Sequence, residues 1–248
     1  MKYTMHDVYS SLTPEKRKAD GTMTTILFRP LSYPIAWLAL NTRISPNAVT
    51  YLSALGCIAA FVLALFPSTL CHVLAMILFI IFAVLDCADG NMARTLKKKN
   101  LYGGCIDAAG GYLAYATELT AIGLTCFYTA GTEWTVGGYT LVDLSPLPFT
   151  GAAWIILGCA AALANTLMRL FHQAFKNAEI LSGMEVSPGK QKRFSEEVGI
   201  TGYLPILYII GFITNFLPAV LILYTIIYCG GFAVSTLKLI RKAEKRHE

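Results

Sequence analysis

The chain has 248 residues, of which 55% are hydrophobic and 14% are charged, and its formal net charge is +5. A soluble domain carries about 25% charged residues, so this composition excludes an ordinary soluble globular protein. Several apolar stretches approach the roughly 20 residues that one bilayer crossing requires. The sequence therefore predicts a polytopic integral membrane protein.

The N-terminus and the cysteines exclude two further classes. Residues 1–25 are polar and mixed in charge, so we expect no cleavable signal peptide, which would need an apolar core. The seven cysteines form no Cys-x-x-Cys pair, and their number is odd. We therefore expect neither a disulfide framework nor a zinc site, and interpret the thiols as small side chains packed between helices.

The segment 26–42 mixes apolar residues with Arg29, Pro30 and Pro34. It is too short and too interrupted to span a bilayer, so we expect an amphipathic interfacial helix that lies on the membrane surface. Residues 1–43 are then a cytoplasmic N-terminal region that contains this helix, and residues 44–248 form the transmembrane domain.

Six transmembrane helices are predicted in the second region, which makes the fold class all-α. Their approximate bounds are 46–66, 69–94, 103–128, 149–175, 200–216 and 218–240. Pro46 suits a first helical turn. Turns between helices are marked by Pro67, Pro146, Pro148 and Pro218.

Lys and Arg are divided unequally between the two sets of loops. With six spans, both termini lie on one side, together with the basic runs at 94–99, 190–193 and 241–246. The opposite loops, near residue 66, at 130–148 and near residue 215, contain no Lys or Arg. By the positive-inside rule, the basic loops and both termini face the cytoplasm.

Three acids lie near the cytoplasmic ends of two predicted spans. Asp86 and Asp89 are three residues apart and share one helix face, and Asp107 follows a short basic turn at a similar depth. Ionisable residues inside a membrane are costly and usually functional. Converging carboxylates repel one another unless cations bind between them, and hard oxygen ligands suit Mg²⁺ or Mn²⁺.

Small residues and one arginine surround these acids. Gly90 follows the second acid, Ala93 lies three positions further on, and Gly103 lies one turn before the third acid. Such residues let a flat ligand or another helix approach the backbone, and Arg94 supplies a planar cation suited to phosphate. The pattern points to a metal-bound nucleotide diphosphate; the alternative is a structural polar network with tight helix packing.

Two motifs resemble the CDP-alcohol phosphotransferase (CDP-alcohol phosphatidyltransferase) family. One reads DCADGNMAR at 86–94, followed after eight residues by GGCID at 103–107, and matches seven of the eight fixed positions in the family signature. The other is SPNAVT at 45–50, which resembles the Pro-Asn-x-x-Thr opening of the family's first span. The motifs cover residues 45–111, and the six-span plan extends the resemblance over the chain.

The resemblance implies an enzyme of phospholipid synthesis. It would transfer a phosphatidyl or phospho-alcohol group from CDP-diacylglycerol or a CDP-alcohol to an alcohol acceptor and release CMP. Mg²⁺ or Mn²⁺ would be held by Asp86, Asp89 and Asp107. The nucleotide and its phosphates would be contacted by Pro46, Asn47, Thr50, Gly90, Ala93, Arg94 and Gly103. The resemblance also implies two partners, membrane lipid and a second copy of the chain in a homodimer. It does not imply a nucleic-acid partner.

One departure from the family pattern concerns catalysis. The fourth Asp, which the family uses as the base toward the acceptor, falls at position 111, where this chain has Gly111. Glu118 shares the helix face of Asp107 but lies about 10 Å beyond position 111 at 1.5 Å rise per residue. It would need a water relay or a kink at Gly110 and Gly111, whereas Tyr115 is closer but poorly basic. The catalytic candidates are Asp107 and Glu118, with a polar bundle contact as the alternative for Glu118.

Arg169, His172 and Lys176 lie at helical spacing near the cytoplasmic end of the fourth predicted span. They are candidates for binding an anionic acceptor or a lipid phosphate. The alternative is that these side chains extend to the membrane interface without a ligand.

Three functions are compatible with this pattern. The first is an active CDP-alcohol phosphotransferase. The second is a catalytically silent relative that binds nucleotide or partners, for which Gly111 is the main argument. The third is a cation-coupled transporter, against which the acids argue because they cluster beside a basic turn rather than at the bilayer midplane. The acceptor is left open among glycerol phosphate, inositol or its phosphate, serine and amino alcohols.

Overall fold

The structure is a computed structural model that describes residues 2–97, 102–183 and 193–244. Most of these residues are α-helical. Four helical segments within the described residues are long and apolar enough to cross a membrane, namely Pro46–Ala64, Thr69–Leu96, Thr150–Leu181 and Leu217–Glu244. This pattern is that of a helical membrane protein. Parts of the predicted basic runs at 94–99, 190–193 and 241–246 lie outside the described residues.

The N-terminal region folds into short helices. They are α1 (Met5–Ser10), α2 (Pro14–Ala19), a π-helical turn (Thr24–Phe28) and α3 (Arg29–Asn41). Thr4 and Asp7 form a capping box on α1, and the hydrogen bonds from Thr4 hold the pKa of the Asp7 carboxyl below its ordinary value. The helix expected over 26–42 corresponds to the π-helical turn and α3, with slightly different bounds. Its position on a membrane surface stays a prediction.

Two long helices follow, α4 (Pro46–Ala64) and α5 (Thr69–Leu96). Ser45 caps α4 by accepting a hydrogen bond from the Ala48 backbone N–H, and Pro46 occupies the first turn as expected. One face of α3 packs on α4 and α5 through buried small and apolar residues: Ala36, Ala39, Leu40, Val49, Ala88 and Met92. The N-terminal region therefore lies against the helix that carries the first two acids.

The remaining elements complete the helical chain. In order they are α6 (Gly103–Ala130), β1 (Glu133–Val136), β2 (Tyr139–Asp143), a 3₁₀ turn (Thr150–Ala152), α7 (Ala153–Leu181), α8 (Arg193–Glu197), α9 (Leu204–Ile213) and α10 (Leu217–Glu244). The chain divides into two compact units, Met1–Thr117 with Gln191–Ile209, and Glu118–Lys190 with Ile210–Glu248. The predicted N-terminal region, 1–43, belongs to the same unit as α4 and α5.

The predicted fifth span is shorter than expected. Within 200–216 the structure forms α9 with only ten residues, about half of what a bilayer crossing needs. The helix begins late because Gly199, Ile200, Thr201 and Gly202 form a turn, in which the Gly202 N–H donates to the Gly199 carbonyl at 2.9 Å. The predicted third span coincides with the 28-residue helix α6, which is not among the four segments given above, so this span and the count of six stay predictions.

The loop at 130–148 contains a β-hairpin that the sequence analysis did not predict. Strands β1 and β2 pair antiparallel, and Gly137 and Gly138 make the turn with φ of 60° and 84°. This backbone conformation suits glycine, and the flanking β-branched and aromatic residues favour strands. Trp134 anchors the hairpin in the second unit, because its indole N–H donates to the Asn215 carbonyl at 2.8 Å.

Two glycines bring α6 and α7 into close contact within the second unit. A Cβ added at Gly123 would lie 2.7 Å from the Trp154 carbonyl oxygen, and one at Gly158 would lie 2.6 Å from the Leu119 carbonyl oxygen. Backbone atoms cannot move aside as a flexible side chain can. The approach of the two helices therefore depends on the absence of side chains at both positions.

We predict that Gly158→Ala destabilises the protein by about 1–3 kcal/mol, the usual effect of overpacking a close contact. Gly230→Ala in α10 is the matched control, because a Cβ there would meet no atom within 4 Å. Thermal unfolding of the detergent-solubilised variants measures the difference. Equal melting temperatures for the two variants would contradict the close helix contact.

Candidate active site

The motif residues line one cavity of about 920 Å³, formed by residues of the first compact unit. All ten positions that the sequence analysis assigned to metal or nucleotide binding contribute to its wall. They are Pro46, Asn47, Thr50, Asp86, Asp89, Gly90, Ala93, Arg94, Gly103 and Asp107. Helices α4, α5 and α6 therefore bring together residues that are up to 61 positions apart in the chain.

The three acids occupy different environments in this cavity. Asp89 is buried, Asp86 is half-buried and Asp107 is exposed. The Thr50 hydroxyl of α4 donates a hydrogen bond to Asp89 Oδ2, and the same hydroxyl oxygen lies 3.2 Å from the Pro46 carbonyl oxygen. Thr50 thus links the motif at the start of α4 to the motif in α5.

The donor set has the chemistry of a hard divalent cation site. Asp86 and Asp89 each experience the negative charge of Asp107, and Asp86 also that of Asp89. Such repulsion is relieved by Mg²⁺ or Mn²⁺, which prefer carboxylate oxygens. Within the described ranges, however, no group of three or more His, Cys, Asp or Glu side chains is already placed to hold a metal ion. The carboxylates fit the ion in kind, and they share a cavity without forming a complete ligand cage.

Arg94 presents an unsatisfied cationic donor at this wall. Its Nη2 donates to Asn91 Oδ1 at 2.8 Å, whereas its buried Nε has no hydrogen-bond partner among the described residues. A Cβ added at Gly90 would lie 3.3 Å from both Nη atoms. The glycine therefore leaves room for the guanidinium, a planar cation at the cavity wall that suits an anion such as phosphate.

A buried polar network that the sequence analysis missed supports Arg94. The Arg29 guanidinium donates to Asp20 Oδ2 at 2.6 and 3.0 Å and to Asn91 Oδ1 at 3.1 Å. The Asn91 amide nitrogen donates to the Ser32 hydroxyl at 2.9 Å. Arg29 and Asp20 are only 5% and 7% exposed. The available signal in the sequence was Arg29 itself, a charge inside an otherwise apolar helical segment.

The turn before α9 also contributes to the wall. Glu196 and Thr201 line the cavity beside the N-terminal residues Lys16, Asp20 and Thr24. The Thr24 hydroxyl donates to the Thr201 carbonyl oxygen at 2.5 Å. Sequence reasoning did not find this part of the site, because the contributing segments are about 175 residues apart and neither carries a recognisable motif.

Position 111 has open space beside it among the described residues. Apart from the backbone of α6 itself, a Cβ added at Gly111 would meet none of their atoms within 4 Å, and α6 continues through Gly110 and Gly111 as one helix. Tyr115, one turn further on, accepts a hydrogen bond at its hydroxyl from the Ile200 backbone N–H at 3.3 Å. The catalytic carboxylate of the family pattern is therefore absent here, and there is space for one.

The other predicted residues belong to the second unit. Glu118 is fully buried, and neither of its carboxylate oxygens has a hydrogen-bond partner in the described part of the chain. Arg169 Nε donates to Asn165 Oδ1 at 2.9 Å, and His172 Nε2 is hydrogen-bonded to the Ser235 hydroxyl. Lys176 is exposed. Roles for these four residues in catalysis or in acceptor binding stay predictions.

Comparison with known proteins gives one family. The model of the CDP-alcohol phosphatidyltransferase family matches residues 43–226, a range that contains α4 to α9 and every residue of both sequence motifs. A search of curated proteins finds no match. Because the family model covers most of the chain, the protein belongs to the CDP-alcohol phosphatidyltransferase family, whose members are transferases of phospholipid synthesis.

Proposed function

We propose that this protein is an active transferase, which moves a phosphatidyl or phospho-alcohol group from a CDP-linked donor to an alcohol acceptor and releases CMP. The observation that carries the proposal is that all ten motif residues line one cavity. A structural polar network would not require all ten residues to surround a cavity of about 920 Å³. The acceptor is a hydroxyl compound, and the lipid is on the donor or on the acceptor.

The residues of the cavity have distinct tasks in this proposal. Asp86, Asp89 and Asp107 would hold Mg²⁺ or Mn²⁺, which neutralises charge on the donor diphosphate when bound. Arg94, which lines the cavity, would bind a phosphate oxygen through its guanidinium. Small residues allow the nucleotide to approach the backbone, at Gly90, Ala93 and Gly103, while Pro46, Asn47 and Thr50 border the cytidine.

The proposal includes the orientation and assembly of the protein. Six spans would place both termini and the cavity on the cytoplasmic side. The cavity would then be open to CDP-linked donors from the cytoplasm or from the membrane. The motivation is the absence of Lys and Arg from the loops near residue 66, at 130–148 and near residue 215. A homodimer is proposed from family membership.

Gly111 supports a second candidate function. A chain that keeps the metal and nucleotide residues but has no carboxylate at position 111 has the pattern expected of a catalytically silent relative that binds CDP-nucleotides. Release of CMP separates the two functions. Purified protein is incubated with CDP-diacylglycerol or CDP-amino alcohols and a mixture of acceptors, and CMP and lipid products are identified by mass.

Removal of any one motif acid is expected to lower CMP release by about 10²-fold or more, as for other groups that stabilise transition-state charge. Asp86→Asn, Asp89→Asn and Asp107→Asn test this, with Asp143→Asn on β2 as the control, because Asp143 is an exposed residue outside the cavity. Chelator should abolish turnover, and added Mg²⁺ or Mn²⁺ should restore it. Full activity in excess chelator would contradict the metal assignment.

The six-span arrangement predicts opposite labelling of two exposed serines. In a cysteine-free background, Ser145→Cys should react with an impermeant thiol reagent from outside the cell, and Ser10→Cys should react only after permeabilisation. The loop at 184–192, with Ser187, is also expected on the inner side but lies outside the described residues. Labelling of both serine positions from the same side would refute the arrangement.

Gly111→Asp is expected to leave CDP binding largely intact, because a side chain at this position has space and the ten motif residues are unchanged. Turnover or the range of acceptors should change, since a new carboxylate enters the acceptor side. Isothermal titration with CDP and the CMP-release assay measure the two effects. If no acceptor yields CMP with the natural chain while Gly111→Asp restores release, the protein is the silent relative.

A further inference from the structure

The cavity wall carries five cations among the described residues, and three of them have a partner or a task. The five are Lys16, Arg29, Arg43, Arg94 and Lys97. Lys16 and Arg29 both form ion pairs with Asp20, at 3.2 and 2.6 Å. Arg94 is assigned above to the donor diphosphate. Arg43 and Lys97 therefore remain without a role in donor binding.

Both remaining side chains are accessible to an anion from solution. Arg43 and Lys97 are exposed, and neither forms an ion pair or a side-chain hydrogen bond with another residue in the described ranges. A cation that no acid contacts keeps its attraction for the charge of a ligand, and a concave wall concentrates that attraction. The two residues thus supply two positive charges that no described acid neutralises by direct contact.

The two cations follow helix ends that pack together. Leu40, three residues before Arg43, is buried in the apolar cluster that joins α3, α4 and α5. Leu96, directly before Lys97, packs against the same cluster. Both leucines also line the cavity. Arg43 and Lys97 therefore lie at the same end of the cavity, where α3 and α5 end.

Both cations also have an unusual backbone conformation. Among the described residues other than glycine, four have a positive φ, and two of these are Arg43 with 62° and Lys97 with 51°. This conformation is unfavourable for a residue with a Cβ, and glycine or asparagine is the usual residue where a helix ends in it. The two turns therefore do not require long basic side chains. Backbone strain of this kind is concentrated at functional sites.

Resting on the transferase function above, we propose that Arg43 and Lys97 form the binding site for a phosphate group on the acceptor. The acceptor is then a phosphorylated hydroxyl compound of the class of glycerol phosphate or inositol phosphate. A phosphate monoester carries a charge of about −1.5 to −2 at neutral pH, which two cations match. Arginine supplies a planar fork of donors and lysine a point charge, and both bind phosphate in proteins.

The same two charges disfavour the other acceptor classes. The ammonium group of an amino alcohol would be repelled by Arg43 and Lys97, and glycerol and inositol present no charge to them. Serine carries a carboxylate but also an ammonium group. A small phosphorylated acceptor also places the lipid on the donor, because a phospholipid product needs its lipid from one of the two substrates. The donor in this proposal is therefore CDP-diacylglycerol.

The test compares acceptors that differ only in the phosphate group. Purified full-length protein receives dioleoyl CDP-diacylglycerol with glycerol 3-phosphate or glycerol, with inositol 1-phosphate or inositol, or with serine, and CMP release is measured. At least one phosphorylated acceptor should exceed its unphosphorylated counterpart by about tenfold or more in kcat/KM, the usual effect of one charge-assisted contact. Calorimetry measures the Kd of the same phosphate esters without donor, a readout that does not depend on turnover.

Variants of the two cations make the assignment specific. Arg43→Gln and Lys97→Gln should each raise the acceptor KM and the phosphate-ester Kd by about tenfold, while kcat and CDP affinity stay within about twofold. Lys18→Gln is the matched control, because Lys18 is an exposed cation of α2 outside this cavity wall. Arg43→Gly and Lys97→Gly should weaken acceptor binding equally without lowering the melting temperature, since glycine suits a positive φ. A loss of binding is then not a loss of structure.

Three results would refute the acceptor-phosphate site and leave the transferase function standing. The first is equal kcat/KM for phosphorylated and unphosphorylated acceptors, or CMP release only from CDP-choline with dioleoylglycerol. The second is a loss of CDP affinity in Arg43→Gln and Lys97→Gln with unchanged phosphate-ester binding, which would assign the cations to the donor. The third is activation by dioleoylphosphatidylglycerol in mixed micelles that both variants abolish at unchanged acceptor KM, which would assign them to a lipid headgroup.

Failure of the transferase function is distinguishable from failure of the site. No CMP with any donor and acceptor would refute the transferase function. If the natural chain then still binds the phosphate esters, and Arg43→Gln and Lys97→Gln weaken that binding while Lys18→Gln does not, the phosphate site stands. If the natural chain binds no phosphate ester either, both proposals are wrong.

Discussion

The buried ion pair between Arg29 and Asp20, completed by Asn91, is the interaction on which the rest of the site depends. A single buried charge would be strongly destabilising, whereas the pair is stabilised by good geometry and by further hydrogen bonds. Here the Arg29 guanidinium makes three hydrogen bonds, two to Asp20 and one to Asn91. Asn91 lies on the same helix face as Arg94 and accepts a hydrogen bond from it. The N-terminal segment thereby contributes to the position of α5 and to the direction of Arg94.

Sequence reasoning found the part of the site that is encoded locally. Asp86, Asp89, Gly90 and Arg94 lie within one stretch of α5, and α6 begins close to its end in the chain, so spacing along the sequence was enough to predict a common cavity. The helices were predicted for the same reason, since long apolar stretches need no information about distant partners. The hairpin at 133–143 was not predicted, because hydropathy alone does not distinguish its strand pattern and its two turn glycines from an ordinary loop.

The part that was missed depends on pairing between distant segments. Arg29 contacts Asn91 across 62 residues, and Thr22 contacts Glu197 across 175. Polar contacts between segments this far apart produce no periodic pattern in the sequence, because only one side chain of each segment is involved. The length of α9 was overestimated for a different, local reason: the turn at 199–202 depends on Gly202, where a Cβ would lie 2.2 Å from the Glu197 carbonyl oxygen. This close contact within the chain is not visible in the hydropathy of the segment.

The space beside Gly90 is occupied and the space beside Gly111 is not. This difference explains how the family pattern can lose one acid and keep its cavity. At Gly90 the place of a side chain is taken by the guanidinium of Arg94, 3.3 Å away, so a larger residue would displace the phosphate-binding group. At Gly111 the place of a side chain is unoccupied, so the absent Asp leaves no packing defect for the helix to relieve. The cavity wall also carries both signs of charge, with acids on α5 and α6 and cations at Arg43, Arg94 and Lys97. Position 111 is not among the residues that line this cavity, so Gly111 in place of the family's Asp removes none of these charged groups from the wall.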